Sequence, residues 1–269
     1  IKADTPNAEY IFTAITETLL MYFIEKKAMQ SSVEFEELRS MGILFSVILK
    51  SMALKVLASG ELNKDTLNRS HWFSEKFVRS LKKVCNFLTG QFTDRCTKAM
   101  EGQTLGTHEF KAIIEANKYM ALFVRDLCSV LDRGAVLDII LGYTREILPE
   151  GLLSDSAMGT RLLFFKYDFQ KIIFEYEHFI PMNFPVHFSI DAEAMENLRQ
   201  SLALRHPLIS MLFDEVKGTL ETQTLASLRG KVFQNMNLLL AKHDYDSRYQ
   251  TIESKNRLAT LYFQLIPLL

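Results

Sequence analysis

The chain has 269 residues, of which 48 % are hydrophobic, and this is enough apolar material to bury a core without disulfide bonds or metal ions. Its 31 basic and 32 acidic side chains give a formal net charge of −1, which excludes the basic field that general nucleic-acid binding requires. The three cysteines are an odd number scattered through apolar segments, so we expect reduced, buried thiols and a cytoplasmic protein.

The start of the sequence and its most apolar run bear on targeting. Residues 1–10 contain neither an initiator methionine nor the pattern of a signal peptide, so we expect the natural chain to begin upstream. The most apolar run, residues 42–58, contains Lys50 and Lys55 and is shorter than the roughly 20 apolar residues of a membrane span. We therefore predict no transmembrane segment.

Apolar residues recur at helical spacing along most of the chain, and glycine and proline are sparse. The periodicity and capping signals predict helices over about residues 6–29, 31–59, 72–87, 107–130, 132–147 and 158–177, with others beginning near 191, 207, 224 and 251. Ser31 and Glu34 have the spacing of a capping box at the start of the second helix. Pro181 and Pro185 predict an extended loop, because proline disfavours helix in the residue before it.

Short connections between about ten helices, without alternating strand patterns, predict an all-α fold. Neither the tetratricopeptide nor the ankyrin pattern can be placed on the sequence, but helix pairs about 40 residues apart fit an α-solenoid of HEAT or armadillo-like pairs. We predict one continuous helical-repeat domain over residues 1–269, a fragment of a larger protein. The apolar C-terminal residues indicate that the natural chain continues and that the fragment associates into a homo-oligomer. These residues are Leu258, Leu261, Tyr262, Leu265, Ile266, Leu268 and Leu269.

Five segments of the second half, in this order, resemble the region of DOCK (dedicator of cytokinesis) proteins, of the zizimin type above all, that precedes the exchange domain. They are residues 127–134 (LCSVLDRG), 176–185 (YEHFIPMNFP), 206–208 (HPL), 238–249 (LLLAKHDYDSRY) and 257–263 (RLATLYF). Residues before about Tyr119 contain no segment that matches the family, and only periodicity describes them.

The resemblance implies an armadillo-like region of a guanine nucleotide exchange factor for Rho-family GTPases, between a membrane-recruiting domain and the exchange domain. The family's catalytic loop has no counterpart here, so the resemblance implies a scaffold that is not an enzyme, needs no cofactor, and contacts protein partners and neighbouring domains of the same chain. Membrane contact of the parent would then use other domains. The alternative is a free-standing HEAT-type adaptor or transport solenoid, which would need polar caps at both ends.

Several polar residues of these segments have the positions of structural caps. Asp132, ahead of Arg133 and Gly134, lies where one helix ends and the next begins, so its carboxylate can cap the second helix. Asp246 and Arg248 lie in a predicted turn, where we expect an aspartate cap paired with the arginine. His178, just before Pro181, is expected to complement the dipole at the end of a helix.

One cluster is a candidate binding surface. Helical spacing places four basic residues largely on one side of a single helix: Lys76, Arg79, Lys82 and Lys83. The cluster is either an ordinary solvated face or a contact for an acidic partner or anionic lipid. The sequence contains no nucleophile elbow, HExxH zinc motif, phosphate loop or CxxC pair, and therefore offers no catalytic, metal-binding or cofactor-binding residues.

Overall fold

The computed structural model describes residues 6–29, 31–60, 62, 69–100, 106–147, 157–183, 206–221, 226–263 and 266. The helices are α1 (Pro6–Ala28), α2 (Phe35–Ser59), α3 (Glu75–Met100), α4 (Thr107–Val130), α5 (Arg133–Ile147), α6 (Ala157–Phe174), α7 (Phe179–Asn183), α8 (Pro207–Glu221), α9 (Ala226–Tyr245) and α10 (Ile252–Tyr262). These described residues contain no strand, which confirms the all-α prediction. The chain divides into two compact units, Ile1–Ile173 and Phe174–Leu269. The predicted single continuous domain stays a prediction.

In the first unit, α1, α3 and α5 form one layer of parallel helices. Phe12 of α1 packs on Phe77 and, further along both helices, Phe23 stacks on Phe87. The neighbouring helices α3 and α5 also run in the same direction. Their cross-contacts are Lys82 with Asp138, and the Thr93 hydroxyl with the carbonyl of Glu146.

A second layer contains α2, α4 and α6. Cross-contacts again advance together along neighbouring helices. Arg39 pairs with Glu115 and Phe45 with Phe123 between α2 and α4. Between α4 and α6, the ring of Phe110 lies under Arg161, and Asn117 donates to the carbonyl of Phe165. Between the layers the direction reverses, since Lys55 of α2 lies over the ring of Phe12 near the start of α1. Parallel helices within each layer and antiparallel pairs between layers are the arrangement of an α-solenoid, as predicted.

Helix α2 illustrates why the sequence folds this way. Its core side chains recur every three or four residues: Leu38, Met41, Phe45, Ile48, Met52 and Val56. Gly42 lets α2 and α4 approach closely, because a Cβ there would lie 2.8 Å from the Tyr119 ring. Gly60 ends the helix in the left-handed conformation, with φ of 69°, which a glycine adopts without strain.

By length and composition, α2 is the one helix in the described part of the chain that could cross a membrane. Helix α2 is longer than the apolar run of residues 42–58 in the sequence. The core helix of a soluble protein passes the same test, and α2 buries a continuous face against α1 and α4. Burial in the core explains the apolar residues of that face, whereas large aliphatic residues on the opposite side of α2 are exposed.

Three local predictions are wrong. Ser31 does not cap α2, which begins at Phe35 after Glu34 as N-cap, and the Ser31 hydroxyl donates to the carbonyl of Lys26 instead. Helix α3 begins at Glu75 and continues past Phe87 to Met100, because residues of the later turns are buried in the core. Pro181 lies in the short helix α7 and not in a loop, since the first-turn N–H that proline lacks has no acceptor within the helix.

In the second unit, the buried Asn183 at the end of α7 organises the start of α8. Its side-chain Nδ2 donates to the carbonyl of Phe179 and its Oδ1 accepts the N–H of Ile209, while its backbone carbonyl lies 2.8 Å from Nδ1 of His206. A buried carboxamide thus satisfies one of the free N–H groups of the first turn of α8. The predicted helix near residue 191 and the rest of the predicted proline loop, residues 184–185, lie outside the described residues.

The end of the second unit differs from the expectation of an uncovered apolar edge. Leu261 is buried, and Leu258 and Tyr262 are partly buried, whereas Ile266 is exposed. Leu265, Leu268 and Leu269 lie outside the described residues. The helices within this unit therefore cover part of the surface that was expected to drive association, and the homo-oligomer stays a prediction.

Candidate interaction surface

Three of the four basic residues of α3 already have carboxylate partners. Lys76 lies 2.6 Å from Glu17 of α1, Lys82 lies 2.5 Å from Asp138 of α5, and Arg79 lies 3.7 Å from Glu75 in the preceding turn of its own helix. Two of these pairs join neighbouring helices of one layer, so they contribute to helix register as well as to surface charge. Within the described residues, Lys83 has no ion pair and is exposed.

Lys83 lines an open groove of about 760 Å³ between α1 and α3. Leu20 and Ile24 of α1 and Phe87 of α3 supply its apolar surface, and Gly90 leaves it open, because a Cβ there would meet nothing within 4 Å. Lys27, Asp94 and Glu146 supply charges of both signs. Such a mixed, open groove suits an extended or helical segment of a protein better than a small molecule, which proteins usually enclose.

The cap predicted between α4 and α5 is present. The Asp132 side chain accepts the N–H of Ala135 at 3.2 Å, and its carbonyl accepts the N–H of Val136. Gly134 suits this turn, because a Cβ there would lie 3.1 Å from the capping oxygen of Asp132. The guanidinium of Arg133 is partly buried, which lowers its pKa, while the Asp132 charge opposes that shift.

In the second unit, Arg248 joins two loops that are distant in sequence. It donates to both carboxylate oxygens of Asp246, to Nδ1 of His178 at 3.0 Å and to the carbonyl of Glu177 at 3.0 Å. The Asp246 carboxylate also accepts the N–H of Arg248, so the predicted cap and its partner are confirmed. The Arg248 hydrogen bond lowers the pKa of Asp246 to about 2.

His178 lies after the end of α6, and its Nδ1 is 3.0 Å from the guanidinium of Arg248. Its expected interaction with the helix dipole stays a prediction. The carbonyl groups of Phe174, Glu175 and Tyr176, at the end of α6, accept hydrogen bonds from the ammonium of Lys242, at 3.3, 2.9 and 2.5 Å. Sequence spacing could not indicate this, since Lys242 follows almost 70 residues later.

A second histidine, His243, was not identified from the sequence as a distinct feature. His243 is buried, and its Nε2 lies 2.5 Å from the hydroxyl of Tyr262. Burial is the main cause that lowers the pKa of His243 to about 4, and Lys242 adds to the shift. The two rings form one wall of an open cavity of about 420 Å³, which Leu240, Tyr249 and Lys255 also line.

The cysteines are buried as expected. Desolvation raises the pKa of the Cys85 and Cys128 thiols to about 12 and that of Cys96 to about 11. Such thiols are neutral at physiological pH and therefore poor nucleophiles. Among the described residues there is no group of three or more His, Cys, Asp or Glu side chains that could hold a metal ion.

Comparison with known families gives a match over most of the first unit. The family model described as "DOCK6-11, TPR domain" matches residues 2–174. The match covers the part of the chain in which the sequence motifs were not recognised. Its description names a tetratricopeptide domain, whereas the periodicity indicated HEAT or armadillo-like pairs, and both types are α-solenoids of helix pairs.

Curated relatives extend the similarity into the second unit. Dedicator of cytokinesis protein 9 of Mus musculus is 27 % identical over 232 residues, which is 84 % of this chain and 10 % of the relative. Dedicator of cytokinesis protein 7 of Mus musculus is 25 % identical over 277 residues, or 91 % of this chain and 12 % of the relative. Dedicator of cytokinesis protein 8 of Homo sapiens is 23 % identical over 251 residues, or 82 % and 11 %. The chain thus spans about a tenth of their length, and no solved structure matches it.

Proposed function

Because the chain belongs to the dedicator of cytokinesis family, as a TPR-like helical domain of the DOCK6-11 group, we propose that it is the non-catalytic scaffold of a cytoplasmic guanine nucleotide exchange factor for Rho-family GTPases. It sets the distance and orientation between membrane-recruiting and exchange domains, and it offers surfaces to protein partners. The observation that carries the proposal is the two-layer stack of helices α1 to α6 within the family match.

The packing of the first unit supports this role. Neighbouring helices of this unit contact each other through buried aromatic pairs: Phe45 with Phe123 within one layer, and Tyr143 with Phe169 between the two layers. In a stack of this kind each repeat contacts only its neighbours, so the stack is elongated and has extended surfaces. Such a stack can act as a spacer between domains. A free-standing adaptor has less support, because the relatives are roughly ten times longer than this chain.

The chain alone should not accelerate nucleotide release from any Rho-family GTPase. The reason is that the family resemblance stops short of an exchange domain. Release of a fluorescent nucleotide, with EDTA as the positive control, is the measurement. A rate that rises and saturates with the concentration of this chain would overturn the scaffold assignment.

A linker replacement in the longer parent protein tests the positioning role directly. Replacing the segment with a flexible Gly/Ser linker should leave exchange on a soluble GTPase unchanged, since the exchange domain is intact. Exchange on a GTPase anchored to vesicles should fall, because a flexible linker spreads the distances that the helix stack holds constant. Equal rates on anchored GTPase for both proteins would contradict positioning.

We also propose that the basic residues of α3, with Lys83 at the centre, contact an anionic partner or lipid. Reversing Arg79 and Lys83 to Glu should weaken co-sedimentation with anionic vesicles at least roughly thirtyfold, since each basic group near such a surface adds about 1 kcal/mol. The control reverses Lys111 and Lys118, exposed lysines of α4, to Glu and changes the net charge equally. Equal losses in both variants would assign the effect to net charge and not to this surface.

A further inference from the structure

The solvent-facing side of α2 carries large aliphatic residues. Ile43 is 69 % exposed, Val47 38 %, Leu54 57 % and Leu57 64 %, and Lys50, also exposed, lies in their middle. We call these five residues the outer face of α2. It lies opposite the core face of the same helix, so neither α1 nor α4 covers it. Exposed apolar side chains gathered in one stripe are typical of interaction surfaces.

The spacing of the outer face indicates what kind of structure fits it. Successive members are separated by four, three, four and three residues, which is the heptad spacing of a helix that packs along another helix. The stripe runs for about 21 Å at 1.5 Å per residue, or about two heptads. An extended peptide or a small ligand would not make use of this spacing, but a second helix would.

Lys50 distinguishes between a second copy of this chain, a membrane and a partner helix as the structure that covers the outer face of α2. It is the midpoint of the stripe and has no ion pair within the described part of the chain. If two copies paired through this face, in either orientation, Lys50 of one would meet Lys50 of the other, and like charges in a helix seam disfavour that pairing. A membrane fits poorly too, because interfacial helices place their lysines on the polar face and not at the centre of the apolar one.

We propose that the outer face of α2 docks an amphipathic helix of a protein partner, with aliphatic residues around one Asp or Glu that faces Lys50. A single polar residue in a helix seam fixes register and partner choice, so Lys50 selects for the carboxylate. The inference rests on the proposed scaffold function in one respect, namely that a scaffold offers a surface to a protein partner. Its test is independent of nucleotide exchange.

A charge-swap experiment tests the proposal on the whole 269-residue chain. The probe is a labelled synthetic helix of about 21 residues, with leucine at the aliphatic seam positions and Glu at the centre, and its twin has Lys at the centre. Fluorescence anisotropy should give saturable binding, roughly tenfold tighter for the Glu peptide. Lys50→Glu should reverse that preference, a result that unfolding or general stickiness could not produce.

Controls locate the binding. Ile43→Ser with Leu54→Ser should abolish peptide binding, whereas Met21→Ser, a comparably exposed apolar residue on α1, should not. Circular dichroism checks that the variants are folded. The proposal is overturned if neither peptide saturates, or if both bind equally. It is overturned as well if the Ile43/Leu54 variant loses binding to anionic vesicles, which assigns the face to a membrane, or loses self-association in light scattering, which assigns it to a second copy.

Discussion

Replacing Tyr143 with alanine should lower the free energy of unfolding of the first unit by about 3–5 kcal/mol, the range for deleting a large buried aromatic side chain. Tyr143 is fully buried and stacks on Phe169 with ring centroids 3.7 Å apart. Its hydroxyl donates to Asn117 Oδ1 at 2.7 Å, and Asn117 Nδ2 donates to the carbonyl of Phe165 at 3.1 Å. One residue thus connects α4, α5 and α6. Urea denaturation followed by circular dichroism measures the loss.

The matched variant is Tyr143→Phe, which keeps the stacking and removes the hydroxyl. It should cost about 1–3 kcal/mol, because Asn117 Oδ1 then lies buried without its donor. The difference between the two variants separates ring packing from the polar network. Equal losses would mean that the hydrogen bond dominates and the stacking contributes little. A negligible loss for alanine would contradict the packing of the three helices.

Acidification should destabilise the second unit between pH 6.5 and pH 4 through His243. The unfolded chain binds a proton on this histidine near pH 6.5, whereas in the folded chain burial lowers the pKa to about 4. Stability from the neutral ring is therefore complete above pH 6.5, decreases as the pH falls and levels off below pH 4. Over that window the loss should be roughly 2–3 kcal/mol.

The comparison that isolates this effect is His243→Gln, which keeps a hydrogen-bonding group towards Tyr262 and does not titrate. Chemical denaturation at several pH values from 7 to 4 should give curves for the two proteins that converge as the pH falls. The Asp246–Arg248 pair does not interfere, because the pKa of Asp246 is lowered to about 2 and its stabilisation persists until lower pH. Parallel curves would show that His243 is not buried in its neutral form.

Features that depend on neighbours in sequence could be predicted from the sequence itself. The bounds of α4, the glycine stop after α2 and the caps at Asp132 and Asp246 agree with the structure. Each depends on residues within one or two turns, where capping and periodicity act. The α-solenoid class follows for the same reason, because helix pairs with one apolar stripe each can bury it only by stacking.

Tertiary structure decided the features in which distant residues meet. Helix α3 extends to Met100 because burial of its later turns outweighs its local breakers, and Lys242 and Arg248 bind carbonyl groups about 70 residues earlier. The pairing of the α3 cations and the groove beside Lys83 likewise depend on which helices become neighbours. The part of the family match before about Tyr119 escaped motif recognition, since a solenoid requires apolar residues at set spacing and tolerates changes in their identity. The sequence thus determined the helices and their class, whereas packing decided which surfaces remain available for binding.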